Sequence, residues 1–170
     1  AFVGLSEREP GRHLLLIAGQ PSNDDEIKDV ISRAALRPDV LLVDRQIPDH
    51  EVQVFFRAAD AGVYPYRLSL NSGAVALGLT FGLPAVLPTT SGEAGTASNA
   101  WAELYDPSSP DGLITAMATI SRRLLDEPMR DAAEAAGREI APETIAPQFA
   151  QHIAQWVCPT RVSQSDKEAR

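Results

Sequence analysis

Short apolar runs and amphipathic stretches alternate along the chain, and the hydrophobic period changes with them. Residues 1–8 set Phe2, Val3 and Leu5 ahead of charges and Pro10-Gly11, the pattern of a helix's last turns and its stop signal. His13 to Ala18 is a compact apolar run closed by Gly19, which predicts a strand buried on both faces. Ser22 and Asn23 are placed to cap a helix with Asp25 and Glu26 near its start. That helix runs to about Ala35 and carries Ile27, Val30 and Ile31 on one face. Val40 to Val43 predicts a second buried strand. Asp49 then caps a short helix whose stripe is Val52, Phe55, Phe56 and Ala59. Gly62 to Tyr66 reads as a third strand. Gly73 to Phe81 is a helix apolar nearly all round, stopped at Gly82 before Pro84, and Ala85 to Leu87 is a fourth strand between two prolines.

The alternation continues more weakly. Thr89 to Asn99 is a Ser/Thr/Gly-rich loop, Trp101 to Tyr105 a short strand, and Asp106-Pro107 the start of a turn. Residues 110–125 and 128–140 read as helices. A last helix over 143–157 puts Ile145, Phe149, Ile153, Trp156 and Val157 on one side, and residues 158–170 form a polar tail. Strands and helices in this order imply an α/β fold: a Rossmann-like, doubly wound parallel sheet with helices on both faces.

Composition narrows the function. The 170 residues are 44% hydrophobic and 22% charged, which are globular values. Net charge is −8 with no basic cluster, so nucleic acid is not an expected partner. Cys158 is the single cysteine, which excludes an internal disulfide framework and a Cys-rich zinc site. No apolar run approaches the ~18 residues of a membrane span, and cytoplasmic is the default compartment.

In parallel sheets ligands bind beyond the carboxyl ends of the strands. That rule directs attention to Gly19–Asn23, Asp44–Asp49, Arg67–Ser72 and Thr89–Asn99. The segment Tyr64-Pro-Tyr-Arg-Leu-Ser-Leu-Asn-Ser-Gly73 leads from a strand into the all-apolar helix. A helix start offers unpaired N–H groups and partial positive charge, a ready seat for phosphate. Gly73 leaves an anion room to approach the backbone, Asn71 and Ser72 add side-chain donors, and Arg67 a formal charge. The plainer alternative is that Ser72 caps a buried helix and Gly73 permits tight packing on the sheet. Asp24, Asp25 and Glu26 read as helix-start acids rather than a metal cluster. Asp106 and Asp111 read as turn and cap residues. His13, His50 and His152 read as structural or exposed, although His50 borders the proposed cleft. Of Tyr64 and Tyr66, one is expected to point into the core and the other toward the cleft.

Asp44-Arg-Gln-Ile-Pro-Asp-His-Glu-Val, the following Ala58-Ala-Asp60, Ser72-Gly73 and Phe81-Gly-Leu-Pro-Ala-Val86 occur in an order that resembles the retaining GT-B glycosyltransferases of the GT4-like group. Tyr105-Asp-Pro-Ser-Ser-Pro-Asp-Gly-Leu113 is similar to a later segment of that family, and the resemblance covers roughly residues 13–157. It implies a C-terminal domain that binds a nucleoside diphosphate sugar and needs no other cofactor or metal. Backbone groups at Gln46 and Ile47 would meet the base, Asn71, Ser72 and Gly73 would hold the diphosphate, and the loop after Gly19 would border the cleft. Ser91-Gly92-Glu93 falls where related enzymes contact the donor sugar, and reads equally as a solvated loop. The family's retaining chemistry leaves the donor phosphate to take the departing proton, so catalytic side chains are not assigned in this half.

Two departures stand out. The family's paired glutamates fall here on Ser69 and Leu77, which removes the usual ribose contact. The family's domain also opens with a strand and a Gly/Arg/Lys loop, whereas this chain starts inside the helix that should follow. The expectation is therefore an inactive donor-binding half, over residues 1–157, that lacks its first strand and its acceptor-binding N-terminal domain. Any peripheral membrane association would come through that missing half. The alternatives are a non-catalytic doubly wound regulatory domain, for which Asp44 after Val43 is a partial receiver-like match, and a nucleotide-sugar epimerase of the same fold.

Overall fold

Five short strands, all parallel wherever they pair, alternate with helices in the computed structural model, which describes residues 1–20, 24–66 and 72–157. Ser22, Asn23, Arg67, Ser69, Asn71 and the tail 158–170 lie outside the described residues, as do the side chains of Trp156 and Val157. The elements are α1 (Phe2–Arg8), β1 (Leu15–Ala18), α2 (Asp25–Ala35), β2 (Val40–Val43), α3 (Asp49–Ala58), β3 (Gly62–Val63), α4 (Gly73–Thr80), β4 (Ala85–Pro88), β5 (Ala102–Tyr105), α5 (Gly112–Asp126), α6 (Met129–Glu139) and α7 (Pro142–Val157). The expected α/β order holds. Among the described residues the strands form two ladders, β1-β2 and β3-β4-β5.

The core sits around β4, whose four residues are all buried. Alternation along the strand sends its side chains to opposite faces. Ala85 and Leu87 pack with Tyr64, Val75, Leu79, Trp101 and Ala133, under α4 and α6. Val86 packs with Tyr105, Ala116, Ile120 and Met129, under α5. Burying each large apolar side chain of this set contributes about 1.5–3 kcal/mol. Leu79 ends α4 against α6 so closely that a Cβ built on Gly137 would lie 2.4 Å from the Leu79 carbonyl oxygen. Gly82, with φ 64°, turns the chain out of α4 in the left-handed conformation that favours glycine. Phe56 of α3 stacks on Phe81 at a centroid distance of 5.5 Å, which ties α3 to the end of α4.

The other ladder is built differently from the expectation. β1 and β2 are only partly buried rather than covered on both faces, and Leu41 is 50% exposed. Among the described residues β1 and β2 pair only with each other, so each has a strand on one side only. The face of α2 that carries Ile27 and Val30 is likewise open, and no α2 residue is buried. On α7 the stripe Ile145, Phe149 and Ile153 faces solvent, with Phe149 65% exposed.

Helix starts also differ in detail. Asp24 caps α2, its carboxylate accepting from the N–H groups of Glu26 at 2.9 Å and Ile27 at 3.4 Å. Asp49 is not a cap: Pro48 holds that position with an extended backbone, and Asp49 joins Glu51 in the first turn, where a carboxylate favours the helix dipole. β3 ends at Val63 rather than at Tyr66, although the Tyr64 N–H still donates to the Val86 carbonyl at 3.1 Å. The loop after β4 contains a short 3-10 helix, Gly92–Gly95.

The first ladder is pinned to α1 through charge. Arg37 forks onto Asp39, Nε donating at 2.9 Å and Nη2 at 2.8 Å, and the Ser6 hydroxyl of α1 donates to the same carboxylate. Arg37 first, and Ser6 second, hold the Asp39 carboxyl down at about 2, against an ordinary value of 3.8. A depressed carboxyl contributes stability that is complete above its unfolded value and disappears as pH falls through its folded one. Urea midpoints should therefore drop between pH 4 and 2 in a way that Asp39→Asn removes. An identical acid limb in the variant would show that this junction is not the titrating element.

Candidate functional site

Because the strands of each ladder are parallel, the loops after β1 and β2 emerge at one end of the first ladder, and those after β3 and β4 at one end of the second. Gly19 closes β1, its N–H donating to the Val43 carbonyl at 3.1 Å, and its φ of 138° is a conformation that side chains rarely adopt. Two strands' ends are thus joined just before the chain turns. The loop after β2 runs through Gln46 and Ile47 to Pro48. Arg45 in this loop pairs with Glu51 on α3 and holds its carboxyl below the usual range. The two loops meet over a cavity of about 280 Å³ lined by Ala18, Gly19, Gln20, Gln46 and Ile47, with Val52, Phe55 and Phe56 of α3. Gly19, Gln46 and Ile47 are therefore brought together. The cavity has apolar and aromatic walls and backbone polar groups along its loops, a combination suited to a planar ring with hydrogen-bonding edges.

The second locus is the start of α4. Ser72 occupies the cap position, and its Oγ accepts from the Val75 N–H at 3.4 Å and donates to the Tyr66 hydroxyl at 3.0 Å. Tyr64 is buried in the core, and its hydroxyl donates to the Ala74 carbonyl at 3.2 Å. Burial, with a smaller contribution from Tyr66, pushes the Tyr64 phenol up to about 12, so it stays a neutral donor. The two tyrosines do not divide between core and cleft as expected: Tyr66 is partly buried against the same core cluster, with its ring centroid 6.1 Å from that of Tyr64. The plainer reading of Ser72 as a cap is correct, but its companion is not. Among the described residues, a Cβ on Gly73 would meet nothing within 4 Å, so none of them packs closely on this glycine.

Glu93 is the residue whose role no spacing in the sequence announces. It sits on the 3-10 helix after β4, and its Oε1 accepts the Ser72 N–H. The helix start thus already holds an anion, as an N-terminus with unpaired donors favours. The Oε2 of the same carboxylate and the Oγ of buried Ser91 have no partner among the described residues. Arg67 and Asn71, expected at this locus, lie outside the described residues.

The remaining candidates have local partners or are exposed. Asp106 accepts from the Ser108 hydroxyl at 2.7 Å and N–H at 2.8 Å, the turn expected of it. Asp111 takes the cap position of α5 without a side-chain capping bond, and pairs with Arg8 at 3.4 Å. His13 contacts Glu9 at 3.1 Å, His152 the Gln148 carbonyl at 2.9 Å, and His50 is largely exposed. No group of His, Cys, Asp and Glu among the described residues could hold a metal ion, and no described helix is long and apolar enough to cross a membrane.

No protein-family model matches the chain, and no curated protein does. Solved structures do. Sucrose-phosphate synthase from Thermosynechococcus elongatus is 22% identical, with a TM-score of 0.67 over 94% of this chain and 42% of its own. Anabaena HepE, solved in complex with UDP, is 15% identical, with a TM-score of 0.74 over 90% of this chain and 44% of its own. The chain has the Rossmann-like α/β fold of these two proteins and spans less than half the length of either.

Proposed function

We propose that the chain is the donor-binding half of a retaining, GT4-like glycosyltransferase, and that its substrate is a nucleoside diphosphate sugar. The observation that carries this reading is the start of α4. Ser72 presents its N–H to a carboxylate, and no described residue would lie within 4 Å of a Cβ on Gly73. A diphosphate offers the same charge and acceptor geometry as that carboxylate, spread over more oxygens. The cavity between Gly19, Gln46 and Ile47 would take the base. That a neighbour of this fold was solved with UDP favours a nucleotide over other anions.

In this reading the chain's part in catalysis is electrostatic. The N–H groups at the start of α4 stabilise negative charge as it develops on the leaving diphosphate, in a site arranged before reaction. The departing proton goes to the donor phosphate, so no general acid is required of this half. The acceptor would be bound by a second domain, and the exposed stripe Ile145, Phe149 and Ile153 on α7 offers such a domain an apolar surface.

Calorimetric titration of the chain, and of a longer protein that contains it, with UDP, GDP and ADP tests the proposal. Saturable heat with at least one nucleoside diphosphate, competed by its sugar conjugate, is the expected result. Absence of binding by all three to the longer protein would refute it.

A further inference from the structure

The outer edge of β2 carries an inference that is independent of any nucleotide. The carbonyls of Asp39 and Val43 accept from the N–H groups of Leu15 and Gly19, at 2.9 and 3.1 Å, so they face β1. Residues of a strand alternate the side on which their N–H and C=O project. Leu41 therefore faces β1 as well, and the N–H and C=O of Leu42 point away from it. Among the described residues nothing bonds to that outward pair.

An open strand edge templates the addition of another strand, and proteins blunt such edges with charge, proline or cover. β5, at the edge of the other ladder, is blunted in this way. Its outward residue is Ala102, whose N–H donates to the Ser98 carbonyl at 2.9 Å. The Ala102 carbonyl accepts from Arg123 at 3.4 Å, and Arg123 pairs with Glu103 at 2.9 Å, so charge stands over that edge. β2 has no such device. Its four residues are Val-Leu-Leu-Val, without charge or proline, and Leu41 is half exposed. The free edge of β1 opens instead on a cleft of about 870 Å³ walled by α1, α3 and α5, too confined for a second folded chain.

We infer that β2 pairs with β2 of a second copy of this chain, antiparallel about a twofold axis at Leu42, in the order β1-β2-β2-β1. The charges that flank the strand select both partner and register. With Leu42 opposite its own copy, Asp39 of each chain lies across from Arg45 of the other, which makes two pairs of opposite charge. Sliding the strands one way sets Arg37 against Arg45, and sliding them the other way sets Arg45 against Leu41. Asp39 keeps Arg37 and Arg45 keeps Glu51, so the new pairs extend two existing ones. In this register Leu41 lies beside Val43 of the second copy, in a pair without hydrogen bonds, where side chains come closest. The helices leave room. A crossover helix lies over the two strands it joins, so with strands about 4.8 Å apart α2 and its copy are about 10 Å apart, the spacing of packed helices. The contact is self-complementary and closes after two copies.

Sedimentation equilibrium of the 170-residue chain tests this. The mass should rise with concentration from 18.3 kDa toward twice that value, with a Kd between about 1 µM and 1 mM for so small an interface. Amide exchange at Leu42 should slow as concentration rises, and exchange at Leu16 and Ala18, on the far edge of β1, should not. Leu41→Lys sets a charge in the strand pair at a position half exposed in one chain, and should raise Kd at least about tenfold. Arg45→Glu replaces attraction to Asp39 by repulsion, and should weaken the dimer most at low salt. Arg45 is exposed, so this variant keeps the test decisive if Leu41→Lys does not fold. A chain that stays monomeric at about 1 mM would overturn the inference. So would a dimer that neither substitution weakens. Protection of Leu42 that is the same at every concentration would overturn it too, since another part of the same chain would then cover the edge.

Discussion

Replacing Gly137 by alanine is expected to destabilise the fold by about 2 kcal/mol, the balance of two effects of opposite sign. Alanine is the better helix former by about 1 kcal/mol, so α6 alone would favour the change. The contact with α4 opposes it. The added Cβ would lie 2.4 Å from the Leu79 carbonyl oxygen, 2.6 Å from its carbon and 3.0 Å from the Thr80 nitrogen. All three are backbone atoms, so no rotamer change relieves the overlap and the two helices must separate. Separation loosens Leu79, Val75 and Ala133, which belong to the main core. Overpacking of this kind costs about 1–3 kcal/mol, and contact with rigid backbone puts it at the upper end. For a domain of this size the loss corresponds to a Tm lowered by roughly 4–8 °C. Gly73→Ala is the control, because nothing lies within 4 Å of the Cβ there. It should leave Tm unchanged or slightly raised. A Gly137→Ala protein that melts no lower than wild type would show that α4 and α6 can part freely.

The parts of the fold written in local pattern were legible, and those set by distant partners were not. Val40–Val43 is a strand in the structure exactly as its apolar run predicts, and α4 stops where Gly82 and Pro84 punctuate the chain. Both features depend on a few adjacent residues. The strand at residues 15–18 was equally readable, but its burial was not. Whether Leu16 is covered depends on what lies across the cleft, far away in sequence. The apolar faces of α2 and α7 pose the same problem: period tells which side is apolar and not whether anything packs on it.

At the candidate site the strand-end rule led to loops that lie close together, since Gly19, Gln46 and Ile47 line one cavity. It gave no hint of Glu93 on the Ser72 N–H, a pairing between loops after different strands. It also left Gly73 ambiguous between close packing and close approach of a ligand. Among the described residues nothing would lie within 4 Å of a Cβ there, which leaves close packing without a partner.

Two substitutions at that locus should move nucleotide affinity in opposite directions. Gly73→Val sets a branched side chain over the first N–H groups of α4, where the proposed diphosphate must approach. UDP affinity should fall at least tenfold, about 1.4 kcal/mol or more. Since no described residue lies within 4 Å of a Cβ there, Tm should stay within the small range of surface substitutions, roughly 0.5 kcal/mol in stability. Glu93→Ala removes the carboxylate that occupies the Ser72 N–H. A diphosphate using this N–H must displace that carboxylate and overcome its negative charge, so its removal should tighten UDP binding. Charge at a helix start is worth about 0.3–1 kcal/mol, which sets the gain at roughly two- to fivefold. The same deletion should slightly weaken the free chain, whose helix start loses an acceptor. If Glu93 served only to hold the loop in shape, Glu93→Ala would weaken binding along with stability. If the diphosphate did not use the start of α4, neither variant would change affinity. Only the divergent pair, measured by calorimetry beside the two melting curves, fits an anion seat that Glu93 fills until the nucleotide arrives.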